Sequence, residues 1–192
     1  MNPPGAGHAA GSPAPSAWVR RWTHLAGPGA RVLDIACGSG RHMQWFSARG
    51  HAVQGVDRDP AAVAGSSAFG PVLKADLEMG PWPFPPASYG VVVVTNYLWR
   101  ALLPDIVASV APGGLLLYET FAAGHGSLGR PRRPEFLLEP GELLRACAGL
   151  RVVAYEDGFE AVPTRFVQRI AAVRQPAEGD PPARPELRGD AP

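Results

Sequence analysis

The sequence predicts a doubly wound α/β fold, a mostly parallel sheet with helices on both faces. Three observations carry this reading. Short apolar runs alternate with helical stretches along most of the chain. One run, Gly90-Val-Val-Val-Val-Thr95, is apolar without alternation, as suits a strand buried on both faces. The first run ends in a glycine-rich turn, Gly38-Ser-Gly40, that opens a helix.

The ends are read as flexible tails. Residues 1–16 hold seven Gly or Pro and hardly any large apolar side chain, and 175–192 offer only Leu187. Neither can bury enough surface to offset the entropy of ordering. The folded domain is expected over 17–174, beginning with an amphipathic lead-in helix that carries Trp18 and Trp22.

Strand one is expected over 31–37 and a helix over 41–49, closed by Gly50. Residues 52–57 read as strand two, with Pro60 at the first position of the next helix. Strand three, over 72–76, is short, and strand four covers 90–95. Pro104 and Asp105 open a helix with Leu103, Ile106, Val107 and Val110 on one face, stopped by Pro112-Gly-Gly114. Strand five follows over 115–121, then a Gly/Pro/Arg loop to about 139. Pro140 starts a helix with Leu143, Leu144 and Cys147 as its apolar stripe. Strands six and seven are expected over 151–156 and 166–174.

Composition narrows the function. Net charge is +1, without the basic footprint of a nucleic-acid binder. No apolar run is long enough to span a membrane and no basic-then-apolar leader opens the chain, so no membrane partner and a cytoplasmic location are expected. Cys37 and Cys147 make neither a disulfide framework nor a metal site. Lys74 is the sole lysine among 18 basic residues, a bias that drains meaning from any cluster of arginines.

Ligands in such sheets bind beyond the carboxyl ends of the strands. After strand one, Gly38 and Gly40 let the backbone approach a ligand closely. Asp57, after strand two, is placed to accept from ribose hydroxyls or to cap the helix at Pro60. Asp76-Leu77, after strand three, offers an acceptor for an exocyclic amine and a cover for a base. A dinucleotide site would want a third glycine where Met43 stands. Asp34, inside strand one, would repel a pyrophosphate but suits a cationic ligand carrying a sulfonium and an ammonium. These charges favour S-adenosylmethionine over NAD, an oxidoreductase remaining the less favoured alternative, beside a non-catalytic regulatory binder.

Val32-Leu-Asp-Ile-Ala-Cys-Gly-Ser-Gly40 resembles motif I of the class I S-adenosylmethionine-dependent methyltransferases. Gly55-Val-Asp57 resembles their second motif, Lys74-Ala-Asp-Leu77 their third, and Ala111-Pro-Gly-Gly114 their turn before strand five. The resemblance covers roughly residues 30–121 and departs at Ala36, where many members carry glycine, a mild change if φ there is negative. It implies a Rossmann-like, seven-stranded sheet whose last strand is antiparallel. It implies that Asp57 holds the ribose, Asp76 the adenine amine, Gly38 and Gly40 the methionine moiety, and the Asn96 backbone the amino group. Asp34, Ala36, Arg58 and Leu77 complete the expected cofactor shell. Gly40-Arg-His42, Tyr97-Leu-Trp-Arg100 and Tyr118-Glu-Thr-Phe121 more loosely resemble the tellurite-resistance and thiol methyltransferase branch, a lean toward small acceptors such as thiols or chalcogens.

Methyl transfer from a sulfonium needs chiefly positioning, with a general base only for a hard acceptor. Candidates for that base are His42, Tyr97 and Glu119. Tyr97, Trp99, Arg100, His125 and Arg130 are candidates for the acceptor pocket. Arg130, Arg132 and Arg133 could together grip an anion; ordinary solvation accounts equally for these loop residues. Trp18 and Trp22 suit either a lid or core packing, and Cys37 a small filler.

Overall fold

The computed structural model describes residues 14–176 and 178–187. The tails expected at the two ends therefore fall partly outside the described residues. Seven strands form one sheet: β1 Arg31–Ile35, β2 Ala52–Asp57, β3 Val72–Lys74, β4 Tyr89–Thr95, β5 Val110–Phe121, β6 Arg151–Ala161 and β7 Thr164–Val173. Their order is β3-β2-β1-β4-β5-β7-β6, with β7 antiparallel to both its neighbours and every other pair parallel. The chain moves outward from β1 to β3 on one side and resumes at β4 on the other. The carboxyl ends of β1 and β4 thus flank the switch point, where such sheets bind ligands.

Helices cover both faces. On one side α1 Ala17–Trp22 and α2 Arg41–Ser47 pack Trp18, Val19, Trp22, Met43 and Phe46 against Val32, Val91, Val93, Leu115 and Leu117. On the other, α4 Leu103–Ala108 and α5 Glu142–Ala146 set Ile106, Leu143 and Cys147 against Leu33, Ile35, Val92, Val94, Leu116 and Tyr118. Strand β4 alternates between the two clusters, and its four valines are fully buried. Each such burial contributes about 1.5–3 kcal/mol, which is why this run reads so clearly in the sequence. The remaining helix, α3 Pro60–Ser66, is capped by Asp59, whose Oδ1 accepts from the Ala61 N–H at 2.9 Å; Asp57 is free of that duty.

α1 is core, not lid. Ser16 Oγ accepts from the Trp18 and Val19 N–H groups, the Trp18 indole donates to the Ile170 carbonyl at 3.1 Å, and both tryptophans are buried. Cys37 is likewise a buried filler against Ser66.

Three elements differ from the sequence expectation. β5 begins at Val110, upstream of the Pro-Gly-Gly turn: Val110 pairs with Tyr89, the register then shifts, and pairing resumes at Leu115 with Val91. Residues 111–114 are a bulge held by Gly113 N–H donating to the Arg174 carbonyl, so glycine and proline there bend a strand instead of separating two elements. β6 continues to Ala161 because cross-strand pairs of Glu156 and Glu160 with Arg169 and Arg165 support a segment that lacks apolar alternation. Leu144 is exposed, since Leu143 and Cys147 share a face of α5 one turn apart and Leu144 lies about 100° around the helix from Leu143.

Candidate functional site

Two clefts open along the carboxyl edge of the sheet. The first, about 120 Å³, is lined by Ala36 after β1, Asp57 and Arg58 after β2, Ala75, Asp76, Leu77 and Glu78 after β3, Tyr97 after β4, and Val56. Four strand ends thus converge there.

The glycine turn has a defined geometry. Gly38 has φ +54°, and a Cβ there would meet no atom within 4 Å, so the glycine keeps both a left-handed backbone and an open surface. Gly40 is different. Its φ is +75°, and a Cβ would stand 2.6 Å from Ser66 Cβ. Its bare α-carbon serves the close approach of α2 and α3. Asp57 locks the turn: Oδ2 accepts from the Gly38 N–H and Oδ1 from the Asp59 N–H, each at 2.9 Å. Lone pairs on both oxygens remain for a ligand. Ala36 has φ +52°, so the condition for a mild exchange with glycine is not met and its Cβ is strained as it lines the cleft. Asn96 is left-handed too, at φ +55°. Met43 fits where a dinucleotide site has its third glycine because Gly55 on β2 leaves room: a Cβ on Gly55 would lie 2.6 Å from Met43 Sδ.

Beneath the turn lies Asp34, 1% exposed, with no hydrogen-bond partner for either carboxylate oxygen among the described residues. Burial pushes its pKa up to about 7, the nearby Arg41 guanidinium only partly opposing. An ammonium group is the natural complement to such an orphaned carboxylate, so the residues present fit a cationic ligand whose nucleoside reaches Asp57 and Asp76. His42 Nδ1 is 3.9 Å from Asp34 Oδ2. His42 Nε2 accepts from the Ser16 N–H at 3.2 Å, so the ring proton of the neutral form sits on Nδ1. Burial, helped by Arg41, lowers the His42 pKa to about 3. This buried, neutral ring is not a free proton acceptor, contrary to its candidacy as a base.

The second cleft is larger, about 550 Å³. It lies over the ends of β4, β5 and β7, between Ser16, the Phe121–Arg130 loop and the β6–β7 hairpin at Val162, Pro163 and Thr164. Asn96 lines it while Tyr97 lines the first, so the clefts meet at the end of β4. Glu119 forms part of its wall, 2% exposed. It accepts from Ser16 Oγ at 3.0 Å and pairs with Arg165 and Arg169 at 3.3 and 3.2 Å. With two guanidiniums on it, Glu119 is a structural anchor and not a base.

Other candidates separate. Arg100 forms a bidentate pair with Glu142 at 2.8 and 3.0 Å and donates to the Glu135 and Leu137 carbonyls. It holds the loop to α5, with four of its five N–H donors engaged. Trp99 packs half-buried on the core and lines neither cleft. Tyr97 lines the first cleft only, its hydroxyl pKa raised by burial and then by Glu78 and Asp76. Arg58 spans Asp76 and Glu78 at 3.7 and 3.8 Å, largely exposed. Arg133 pairs with Glu135. His125 and Arg130 do line the second cleft, and His125 is buried at 5% exposure, not solvated as a loop residue would suggest.

Sequence reasoning missed Arg41, Phe121, Glu160 and Arg165 in this second cleft. Of these Arg41 follows the turn after β1 and Phe121 ends β5; Glu160 and Arg165 arrive through the β6–β7 hairpin, which no local pattern announces.

Residues 32–114 match the family model of a methyltransferase domain. No curated protein matches the sequence. Among solved structures, an S-adenosylmethionine-dependent methyltransferase from Mesorhizobium loti superposes with TM-score 0.62 at 17% identity over 80% of this chain and 97% of that one. One from Archaeoglobus fulgidus gives TM-score 0.66 at 16% identity over 81% and 91%. A TehB-like methyltransferase from Corynebacterium glutamicum gives 0.58 at 20% identity over 82% and 86%. At such identities the superpositions establish the shared fold.

Proposed function

We propose that this chain, whose residues 32–114 match the family model of a methyltransferase domain, is a class I S-adenosylmethionine-dependent methyltransferase that methylates a small nucleophile, of thiol or chalcogen type, held in the larger cleft. The observation that carries this is the junction of the two clefts at Asn96 and Tyr97. A cofactor seated in the first would present its methyl group toward the second.

S-adenosylmethionine supplies an electrophilic methyl on a good leaving group. In this reading Asp57 holds the ribose, Asp76 and Leu77 the adenine, the turn at Gly38 and Gly40 the methionine moiety, and Asp34 and the Asn96 backbone the ammonium end. The chain's own part is to orient and exclude water. Among the described residues, both carboxylates lining the larger cleft, Glu119 and Glu160, are paired with arginines. His42 is buried and hydrogen-bonded to Ser16. None of these three groups stands ready as a base, which suits an acceptor that ionises by itself near neutral pH, as a thiol does. A cytoplasmic setting belongs to the same proposal, and the two buried free thiols, Cys37 and Cys147, suit a reducing compartment.

The test is calorimetric titration with S-adenosylmethionine, S-adenosylhomocysteine and NAD, with Asp57→Ala as comparison, followed by turnover on a panel of thiols. Micromolar binding of both adenosyl ligands, weakened about 30-fold or more by Asp57→Ala, and thiol-dependent release of S-adenosylhomocysteine are expected. Binding of NAD alone would overturn the reading, and adenosyl binding without turnover on any acceptor would mark a regulatory binder.

A further inference from the structure

Resting on the methyltransferase reading, we infer that the larger cleft selects an organic anion: an acceptor with an apolar body and a carboxylate or similar oxyanion, gripped by Arg41 and Arg130.

The argument starts from charge bookkeeping in the cleft wall. Three arginines and two glutamates line it. Arg165 is satisfied by Glu119 and Glu160 at 3.3 and 2.6 Å, and Arg169, behind the wall, completes both carboxylates at 3.2 Å. Both negative charges are therefore consumed within the wall. Arg41 and Arg130 have no carboxylate within ion-pair distance among the described residues; Arg41 acts on the buried Asp34 only from longer range, and its one hydrogen bond is a 3.4 Å contact with Thr95 Oγ1. Arg21, Arg58, Arg100, Arg133 and Arg145 each find an acid elsewhere on the surface. Two unpaired guanidiniums on one concave surface make a site of positive potential, and the planar fork of arginine matches an oxyanion.

Both guanidiniums stand on fixed bases. Arg41 is the first residue of α2, anchored by the packing of Met43 and Phe46. Arg130 lies in a loop, but its carbonyl accepts from His125 Nε2 at 3.0 Å, so that nitrogen carries the ring proton. The His125 ring lies 4.3 Å from that of Phe121 at the end of β5. The histidine thus ties the arginine's backbone to the sheet. Its Nδ1 is left buried and without a hydrogen-bond partner among the described residues. Phe121, Leu128, Val162 and Pro163 supply an apolar surface for the body of the ligand, in a space within the usual range of small-molecule sites. A positive sulfonium in the adjoining cleft would reinforce the preference for an anion.

The test uses the full-length protein saturated with S-adenosylhomocysteine, titrated with phenylacetate, 3-phenylpropanoate and acetate, and with the neutral amides of the two aryl acids. Binding of S-adenosylhomocysteine itself is measured first, because its absence would sink the methyltransferase reading whatever the anions do. The aryl carboxylates are expected to bind at least 10-fold tighter than their amides and than acetate. Arg130→Gln and Arg41→Gln should each weaken the aryl carboxylates about 10-fold and leave the amides unchanged. Arg151→Gln, the same charge change at the far end of β6, should do nothing. Equal affinity for acids and amides, an equal loss in the Arg151 variant, or no anion binding at all beside intact S-adenosylhomocysteine binding would each overturn the inference. So would an Arg41 variant that loses only S-adenosylhomocysteine affinity, since Arg41 would then belong to the cofactor.

Discussion

The two clefts are built by opposite strategies. The smaller is assembled from residues within about four positions of a parallel strand end, where the register of β1 to β4 fixes every Cα. Its special features are backbone features: left-handed φ at Ala36 and in the adjoining turn at Gly38 and Gly40, and two N–H groups on Asp57. The larger draws Ser16, the 121–130 loop and the β6–β7 hairpin together across the sequence, and its special features are side-chain charges. A site made of strand ends is rigid and locally encoded; a site made of charge pairs is tunable and depends on the whole fold.

The seam between them offers the largest test. Asp34 and His42 face each other under the turn, the acid with its pKa raised to about 7 and the base with its pKa lowered to about 3. The raised Asp34 pKa means the folded state binds the extra proton between about pH 4 and 7, so its contribution to stability is lost as pH rises through that window. His42 does the reverse: the unfolded chain binds the proton between about pH 3 and 6.5, so its contribution is lost as pH falls. In the wild type the slopes oppose, and stability from denaturant titration should be nearly flat between pH 4 and 6.5. Asp34→Asn should leave stability rising with pH at up to about 1.4 kcal/mol per unit, and His42→Gln should leave it falling. Parallel slopes in the two variants would refute the pairing.

In the larger cleft, Glu119→Gln keeps an acceptor for Ser16 but strips a charge from Arg165 and Arg169. A loss of about 2 kcal/mol, seen as a lowered Tm, is expected. The loss should be accompanied by little change in S-adenosylhomocysteine affinity, because the smaller cleft stands apart from this network. A stability unchanged in E119Q would mean the pairs are cosmetic and would reopen Glu119 as a base.

The two glycines of the turn divide along the same line. Gly40→Ala drives a methyl into Ser66 and should cost about 1–3 kcal/mol of stability. Gly38→Ala meets open space, so its stability cost should be the smaller, about 1 kcal/mol of left-handed strain, while ligand affinity falls. Denaturation and calorimetry of both variants separate a packing glycine from a ligand-facing one. The smallest effect is expected at Ala36→Gly, where relief of the left-handed backbone, partly offset by unfolded-state entropy, should raise stability by about 0.5–1 kcal/mol.

Local chemistry determined a great deal by itself. The apolar run of β4, the glycine turn after β1 and the acids at 34, 57 and 76 announced a doubly wound sheet and a cofactor site, because strand burial and tight turns select residue types at fixed spacing. The same reading left open φ at Ala36 and the partners of His42, Glu119 and Arg100, because a residue's type does not reveal who will stand against it. Ser16 on His42 joins positions 26 apart and on Glu119 positions 103 apart; Arg165 and Arg169 reach Glu119 only because β7 inserts beside β5. Which arginines are spent in pairs and which are left for a ligand was therefore decided by tertiary structure alone: charge pairing acts through space over a few ångströms, and only the folded chain sets those distances.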